Sequence, residues 1–512
     1  MWSECTKFAL LIVIKEMMMI SPNWKTLRRG ALIHLARQLM YGVCLIFLGL
    51  YALLARAPYS SVLNSPALSS EGEVLEHELP EEGHFVKIAV TKSGVYRISY
   101  DELRKLGFQK PEEVGVFGYG GAALSERLSQ APQKILPAVP VLHEGESVYF
   151  FAYGTTSVYF DRSLQGLRHH HNPYSTEEFY FLADGLQKQE IKLASPPSVP
   201  NPIQTDTYSG YYIHEKELYS LKQSGRLLVG ELLSNGGSLP LELETSKNVL
   251  EGKEIKLRVG YVSLPSVQGK LSILSGSSVL LEDEIFRHEE KTPVNYLRGI
   301  YHLCNSSIQG GATGHFSAKA QFTPAYEKAY IDFISLETEN KLSYNEGKQF
   351  IFRKPNKTVA EAMKFVFSDL PSDVKVWAAL SPNDIRELSL SDDKSFIYTV
   401  TKKDGNPIEF VAFRPGDAFT PRIVGKTIFR KIREHKGIPD LIIISTNGFI
   451  DEAKRLGRFH QETEGKNVLV VTAEEVYNEF SSGTPDATAY RLLVKYFYDR
   501  WRRETASTTS DL

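Results

Sequence analysis

Residues 440–501 decide the fold: 440–445 read DLIIIS, 447–448 read NG, 449–461 have a helical period, 467–472 read NVLVVT, and two further helical stretches follow to Trp501. Short β-branched runs without polar alternation are the pattern of strands buried on both faces, and a helical period after each predicts parallel β-α units. Thr472 and Glu475 have the spacing of a capping box, and Thr484 before Pro485 predicts the cap and first position of the last helix. In that helix Ala489, Leu492, Leu493, Tyr496, Phe497 and Trp501 recur every 3.6 residues, a stripe that requires a sheet to cover. Two parallel strands are expected to be too few to bury helices on both faces. Residues 437–512 therefore read as the start of an α/β parallel-sheet domain, incomplete as it stands.

Upstream the pattern changes to β. Residues 84–97 alternate and turn at Ser93-Gly94, which predicts a hairpin; 100–106 read as a short helix and 113–117 as a strand. Residues 148–159 are alternating and aromatic, and Pro196 to Pro202 form a proline-rich joint. Residues 212–230 read as helix or turn. From 241 to 353 short strands separated by Gly, Asn and Ser describe a β-sandwich, and 358–413 a smaller β unit. The expected organisation is a β-rich N-terminal domain at 84–195, a β-sandwich at 203–355, a small β domain at 356–436 and the α/β segment at 437–512.

At 512 residues the chain has room for several cores, and 59 basic against 61 acidic side chains leave a net charge of −2, so nucleic acid is not an expected partner. Residues 1–57 carry Lys7, Lys15, Lys25, Arg28, Arg29 and Arg37 before an apolar run at 40–55, and Ala55-Arg56-Ala57 offers small-x-small cleavage. This is a signal peptide or an N-terminal membrane anchor, and the segment is the expected contact with membrane; 58–83 is a linker. With three cysteines, two of them in the leader, disulfides are not the framework.

Several motifs that suggest sites also have plainer structural readings. Cys304 has no partner motif beside it and reads as a half-buried thiol. Gly118-Tyr-Gly-Gly-Ala-Ala123 matches the G-x-G-x-x-A dinucleotide fingerprint, but prolines at 132 and 137 interrupt where a long helix should follow, so it reads as a glycine-rich turn. His169, His170 and His171 read as a polar loop, because adjacent side chains diverge and zinc needs converging ligands. Glu282-Asp283-Glu284 and Glu289-Glu290 read as surface acids. No catalytic, cofactor or metal residue is assigned.

Several strings, in order, resemble the gingipain-type cysteine peptidases and, among them, the type IX secretion sortases: GVYRI at 94–98 with Leu106-Gly107, VFGYGG at 116–121, FFAYG at 150–154, NPYS at 172–175, His214-Glu215 with Ser224-Gly-Arg226 and Gly230-Glu231, AYIDF at 329–333, Phe352-Arg353, FVAF at 410–413, and the block 440–498 with FSSG at 480–483. The resemblance implies β-rich domains preceding a caspase-like α/β peptidase domain in an exported protein of the cell surface or outer membrane, with secreted cargo and outer-membrane secretion components as partners. It implies a histidine and then a cysteine nucleophile at later strand ends. This chain has no such pair: within the α/β block the histidine is His460, on a helix, and no cysteine follows Cys304. The chain is thus expected to be the N-terminal part of such an enzyme, without peptidase activity alone. The competing expectation is a non-catalytic surface binding module of the secretion machinery.

Overall fold

A computed structural model describes residues 83–509, apart from 122, 129–134, 222–225, 234–237, 265–266, 287–298, 324–327, 356–361 and 403–404. The leader, Glu289-Glu290 and Ser224-Gly225 lie outside the described residues. Among those described, no helix is long and apolar enough to cross a membrane.

The β-rich layers come first in the chain. An eight-stranded sheet places Gly94–Ser99, Ser147–Ala152, Ala138–Glu144, Gly115–Phe117, Glu178–Ala183, Phe85–Val90 and Arg422–Thr427 side by side, with Gln189–Glu190 added on Ala138–Glu144. The expected hairpin over 84–97 does not form. Both strands exist, but Phe85–Val90 pairs with Glu178–Ala183 and Arg422–Thr427, while Gly94–Ser99 pairs with Ser147–Ala152. One face of this sheet buries Val86, Ile88, Val116, Val141, Phe150 and Tyr180.

A β-sandwich follows. Its five-stranded sheet is built on the long strands Thr207–Glu215, Ala329–Lys341, Glu254–Ser263 and Ile300–Gln309, and its four-stranded partner on Ser238–Glu244, His315–Thr323, Gly269–Ser275 and Ser278–Ile285. Alternating inward residues such as Leu257, Val259, Leu271, Ile273, Ile331 and Leu336 fill the space between the sheets. Of the stretch read as helix or turn at 212–230, residues 212–215 instead continue the strand Thr207–Glu215, held by nine residue pairs to the strand Ala329–Lys341, and Tyr219–Ser220 pairs with Leu228–Val229. A second pair of sheets, five strands including Lys375–Ser381 and Glu409–Phe413 and three including Ala362–Val366, encloses Phe352, Phe365, Phe396 and Phe410. The outer face of its five-stranded sheet carries Trp377, Val411 and Phe413 against Val95, Tyr149 and Phe151 of the N-terminal sheet. Strands and layers thus exchange chain: Phe350–Phe352 pairs with Glu409–Phe413.

The α/β block has the predicted parallel pairing, Leu441–Ser445 against Val468–Thr472, with Ile443 opposite Val470. Its two faces are covered by different helices. Val468, Val470 and Ile443 meet helix Ile450–Glu464 at Gly457, where an added Cβ would lie 2.7 Å from Val470, so the crossing is too close for a side chain. Leu469 and Val471 pack on the other face against Val476, Phe480, Ala489, Leu492, Leu493 and Phe497 from helices Ala473–Phe480 and Ala487–Thr509. Helices thus lie on both faces, but two strands do not bury them, as the sequence reading expects: Leu441–Ser445 is only half-buried, and Leu456, Phe459, Val494 and Tyr498 of the covering helices are exposed. The far end of the stripe, Trp501, is 47% exposed.

Candidate functional site

In open parallel sheets, ligands collect at the carboxyl ends of the strands. Here that edge is formed by Ser445, Thr446 and Asn447 after the first strand and Thr472 after the second. The Thr472 hydroxyl accepts from Glu475 N (3.1 Å) and the Glu475 carboxylate from Thr472 N (2.8 Å), so the capping box predicted from the sequence forms. Ser445 donates to the Thr446 carbonyl (3.1 Å), and the Asn447 amide donates to Glu474 (3.3 Å) at the start of the Ala473–Phe480 helix. These groups can orient a polar ligand; they include no thiol and no imidazole.

The two residues that could have supplied such groups lie elsewhere. His460 is near the C-terminal end of the helix Ile450–Glu464 that follows the first strand, far along the helix from the strand's carboxyl end, and it pairs with Glu464 (2.8 Å). Cys304 sits in the sandwich strand Ile300–Gln309 and donates to Asp283 (3.0 Å), which also accepts from the Tyr261 hydroxyl. Burial, then the neighbouring carboxylate, pushes the Cys304 thiol up to about 12, the reverse of what a nucleophile needs. Asp283 is accordingly a half-buried acceptor on a strand, not the surface acid the sequence predicted, whereas Glu282 beside it pairs with Lys270 (2.8 Å) in solvent.

The triple histidine also differs from the expected loop. His169 and His171 share one face of strand Gly166–His171 and converge on Glu215, at 3.3 and 4.0 Å, with Tyr211 on His169 (2.8 Å); His170 faces the other way. Among the described residues no group of three His, Cys, Asp or Glu side chains is placed to hold a metal ion. The glycine-rich string at 118–123 follows the strand Gly115–Phe117, and among its described residues no helix begins. Gly120 has φ +72°, and a Cβ there would come 2.7 Å from the Tyr180 hydroxyl, so the glycine serves a close approach of backbone to ring.

What presses on that turn is the segment between the last two helices. Ser482 accepts from Tyr119 N (3.2 Å), Asp486 from Leu124 N (2.7 Å), and Thr484 from Phe179 N (3.2 Å) while donating to Glu178 (3.0 Å). Thr484 is therefore not the helix cap predicted from the sequence: the last helix starts at Ala487 and Asp486 caps it, accepting from Thr488 N (2.7 Å). One strand away, buried Lys87 donates to Asn478 (3.3 Å) above the Phe179 ring (4.5 Å). Sequence reasoning passed over Lys87 and Glu178. The available signal was a charge at an inward position of an otherwise apolar strand, as in FVKIAV at 85–90.

Comparison with known proteins places this architecture. The family model of Peptidase family C25 matches residues 434–509, the α/β block. The crystal structure of dimeric latent PorU from Porphyromonas gingivalis superposes with a TM-score of 0.76 at 33% identity, over 82% of this chain and 40% of that one. This chain thus spans less than half the length of that relative. BpGH86A, a beta-porphyranase of glycoside hydrolase family 86 from Bacteroides plebeius, aligns over 51% of this chain and 35% of its own, but at 9% identity and a TM-score of 0.17 it carries no argument. No curated protein matches. The C25 match falls on the block whose strand and helix pattern decides the fold, and the PorU likeness extends through the β layers before it: the chain belongs to the gingipain-type C25 peptidase family.

Proposed function

We propose that this chain is the N-terminal part of a gingipain-like cysteine endopeptidase of the type IX secretion sortase kind, which removes C-terminal sorting domains from exported cargo at the cell surface. The observation that carries the reading is the 33% identity to PorU over 82% of the chain, across β layers and α/β block together. The β layers would present cargo and meet outer-membrane secretion components, and the 445–447 edge would form one wall of the peptidase cleft. Alone, the chain is proposed to be inactive, since its strand ends carry no thiolate and imidazole pair. The test is to incubate the purified chain with a cargo protein bearing its sorting domain. The expected result is intact cargo over a time course in which a full-length family member processes it. Release of the domain by this chain would overturn the proposed inactivity. Stable co-purification of uncleaved cargo would favour the second reading, a non-catalytic binding module of the secretion machinery.

A further inference from the structure

The α/β block meets the N-terminal sheet along a seam that buries charge without bonding it to opposite charge. Glu178 is 3% exposed, and its carboxylate accepts from two neutral groups, the Asn172 amide (2.8 Å) and the Thr484 hydroxyl (3.0 Å); the charged group facing it from the loop is another acid, Asp486. Lys87 is 6% exposed, with the neutral Asn478 amide as its bonded acceptor. Around Lys87, the strand Glu178–Ala183 contributes the rings of Phe179 and Phe181, the strand Arg422–Thr427 contributes Gly425, and the Ala473–Phe480 helix contributes the carboxylate of Glu474 beyond contact distance. Residues 478–486 lie over both groups, with Asn478 and Gly483 at Lys87 and Thr484 at Glu178. Desolvating a charge without a bonded counter-charge opposes closure.

We propose that the 481–486 loop and its socket on the N-terminal sheet form a clasp that is loosest when Glu178 and Lys87 are both charged, near neutral pH, and tighter to either side. Loosening uncovers the Ala473–Phe480 helix, whose first turn holds the already exposed Glu474 to Asn447 contact, so the clasp bears on the order of the strand-end edge.

The charge states follow the geometry. Burial raises the Glu178 carboxyl to about 7, so its contribution to closure is full below the ordinary carboxylate range and is lost as pH rises through 7. Burial lowers the Lys87 ammonium to about 8, so its contribution is full above the ordinary lysine range and is lost as pH falls through 8. Closure is therefore weakest between 7 and 8. Glu479, also raised to about 7 by burial, accepts from Ile432 N inside the α/β block and stays buried when the seam opens.

The test is hydrogen exchange of the intact chain from pH 5.5 to 9.5, with rates converted to protection factors, on the amides of 473–480. Protection should fall about tenfold from pH 5.5 to 7.5 and recover about tenfold toward 9.5, since each pKa unit is a factor of ten in the closing equilibrium. Glu178→Gln should abolish the acid-side fall and Lys87→Met the alkaline recovery, each leaving the other arm in place. Protection that is flat with pH in the unmodified chain would overturn the clasp. So would a Glu178→Gln chain that keeps the acid-side fall. If one variant fails to fold, the other variant's arm and the unmodified profile still decide.

Discussion

Substituting Leu493 and Trp501 separately tests whether the last helix is packed or merely adjacent. Both belong to one apolar stripe of the helix Ala487–Thr509, yet Leu493 is 0% exposed, beside Val471, Phe480 and Phe497, whereas Trp501 is half exposed, with Tyr498 as its ring neighbour (5.8 Å). Leu493→Ala removes three buried carbon atoms from a cluster held by strand and helix backbone, which cannot collapse far, so it should cost about 3 kcal/mol, within the usual 2–5. Trp501→Ala forfeits an exposed face and one ring contact and should cost less than about 1 kcal/mol. The chain has several separate cores, so one melting temperature would mix them. The better assay is limited proteolysis under native conditions, following cleavage within 441–509 at several protease concentrations. In the regime where cleavage tracks the open population, 3 kcal/mol is about a hundredfold rise in rate, and the Trp501 variant should rise less than about fivefold. Equal acceleration by the two substitutions would refute the packing derived for this block, as would an unchanged rate in Leu493→Ala.

Two more outcomes follow from buried groups. Because the Cys304 thiol is pushed up to about 12 by burial and by Asp283, its alkylation at pH 8 in the folded chain should be about a thousandfold slower than in denaturant, read by peptide mass spectrometry; comparable rates would refute the Asp283 contact. The Arg353 to Glu409 pair (2.6 Å, both side chains 8% exposed) ties the strand ending at Phe352 to Glu409–Phe413 beneath the phenylalanine core. Arg353→Met leaves that carboxylate buried without its partner and should cost about 3–5 kcal/mol in urea unfolding followed by aromatic fluorescence, while Arg353→Met with Glu409→Leu should recover most of the loss.

The parts of this fold legible in the sequence are those whose causes are local. The β-branched runs at 441–445 and 468–472, the helical period after each and the Thr472 to Glu475 box act within a few residues of themselves, and the parallel pair stands where they place it. Strand pairing is not local. FVKIAV at 85–90 followed by Ser93-Gly94 has every mark of a hairpin, but its neighbours are 178–183 and 422–427, and nothing near residue 90 encodes a partner more than three hundred positions away. The triple histidine is misread for a related reason: its strand is fixed by pairing with Thr156–Asp161 and by Glu215 and Tyr211 on a distant sheet.

Thr484 and Asp486 show most sharply where local rules stop. Both are good N-cap residues, Pro485 lies between them, and by propensity the threonine before the proline is the better choice. The choice is made across the seam, some three hundred positions away, where Phe179 N donates to the Thr484 hydroxyl and Glu178 accepts from it, leaving Asp486 to cap the helix. A helix start displaced by two residues is thus a tertiary effect: the Thr484 hydroxyl is turned across the seam, accepting from Phe179 N and donating to Glu178, while Asp486 accepts from the helix's own Thr488 N. It follows that Glu178 and the start of the last helix are coupled. Opening the seam releases the Thr484 oxygen from Phe179 N and frees it to compete for the cap, so the register of the first turn of that helix reports on whether the seam is closed.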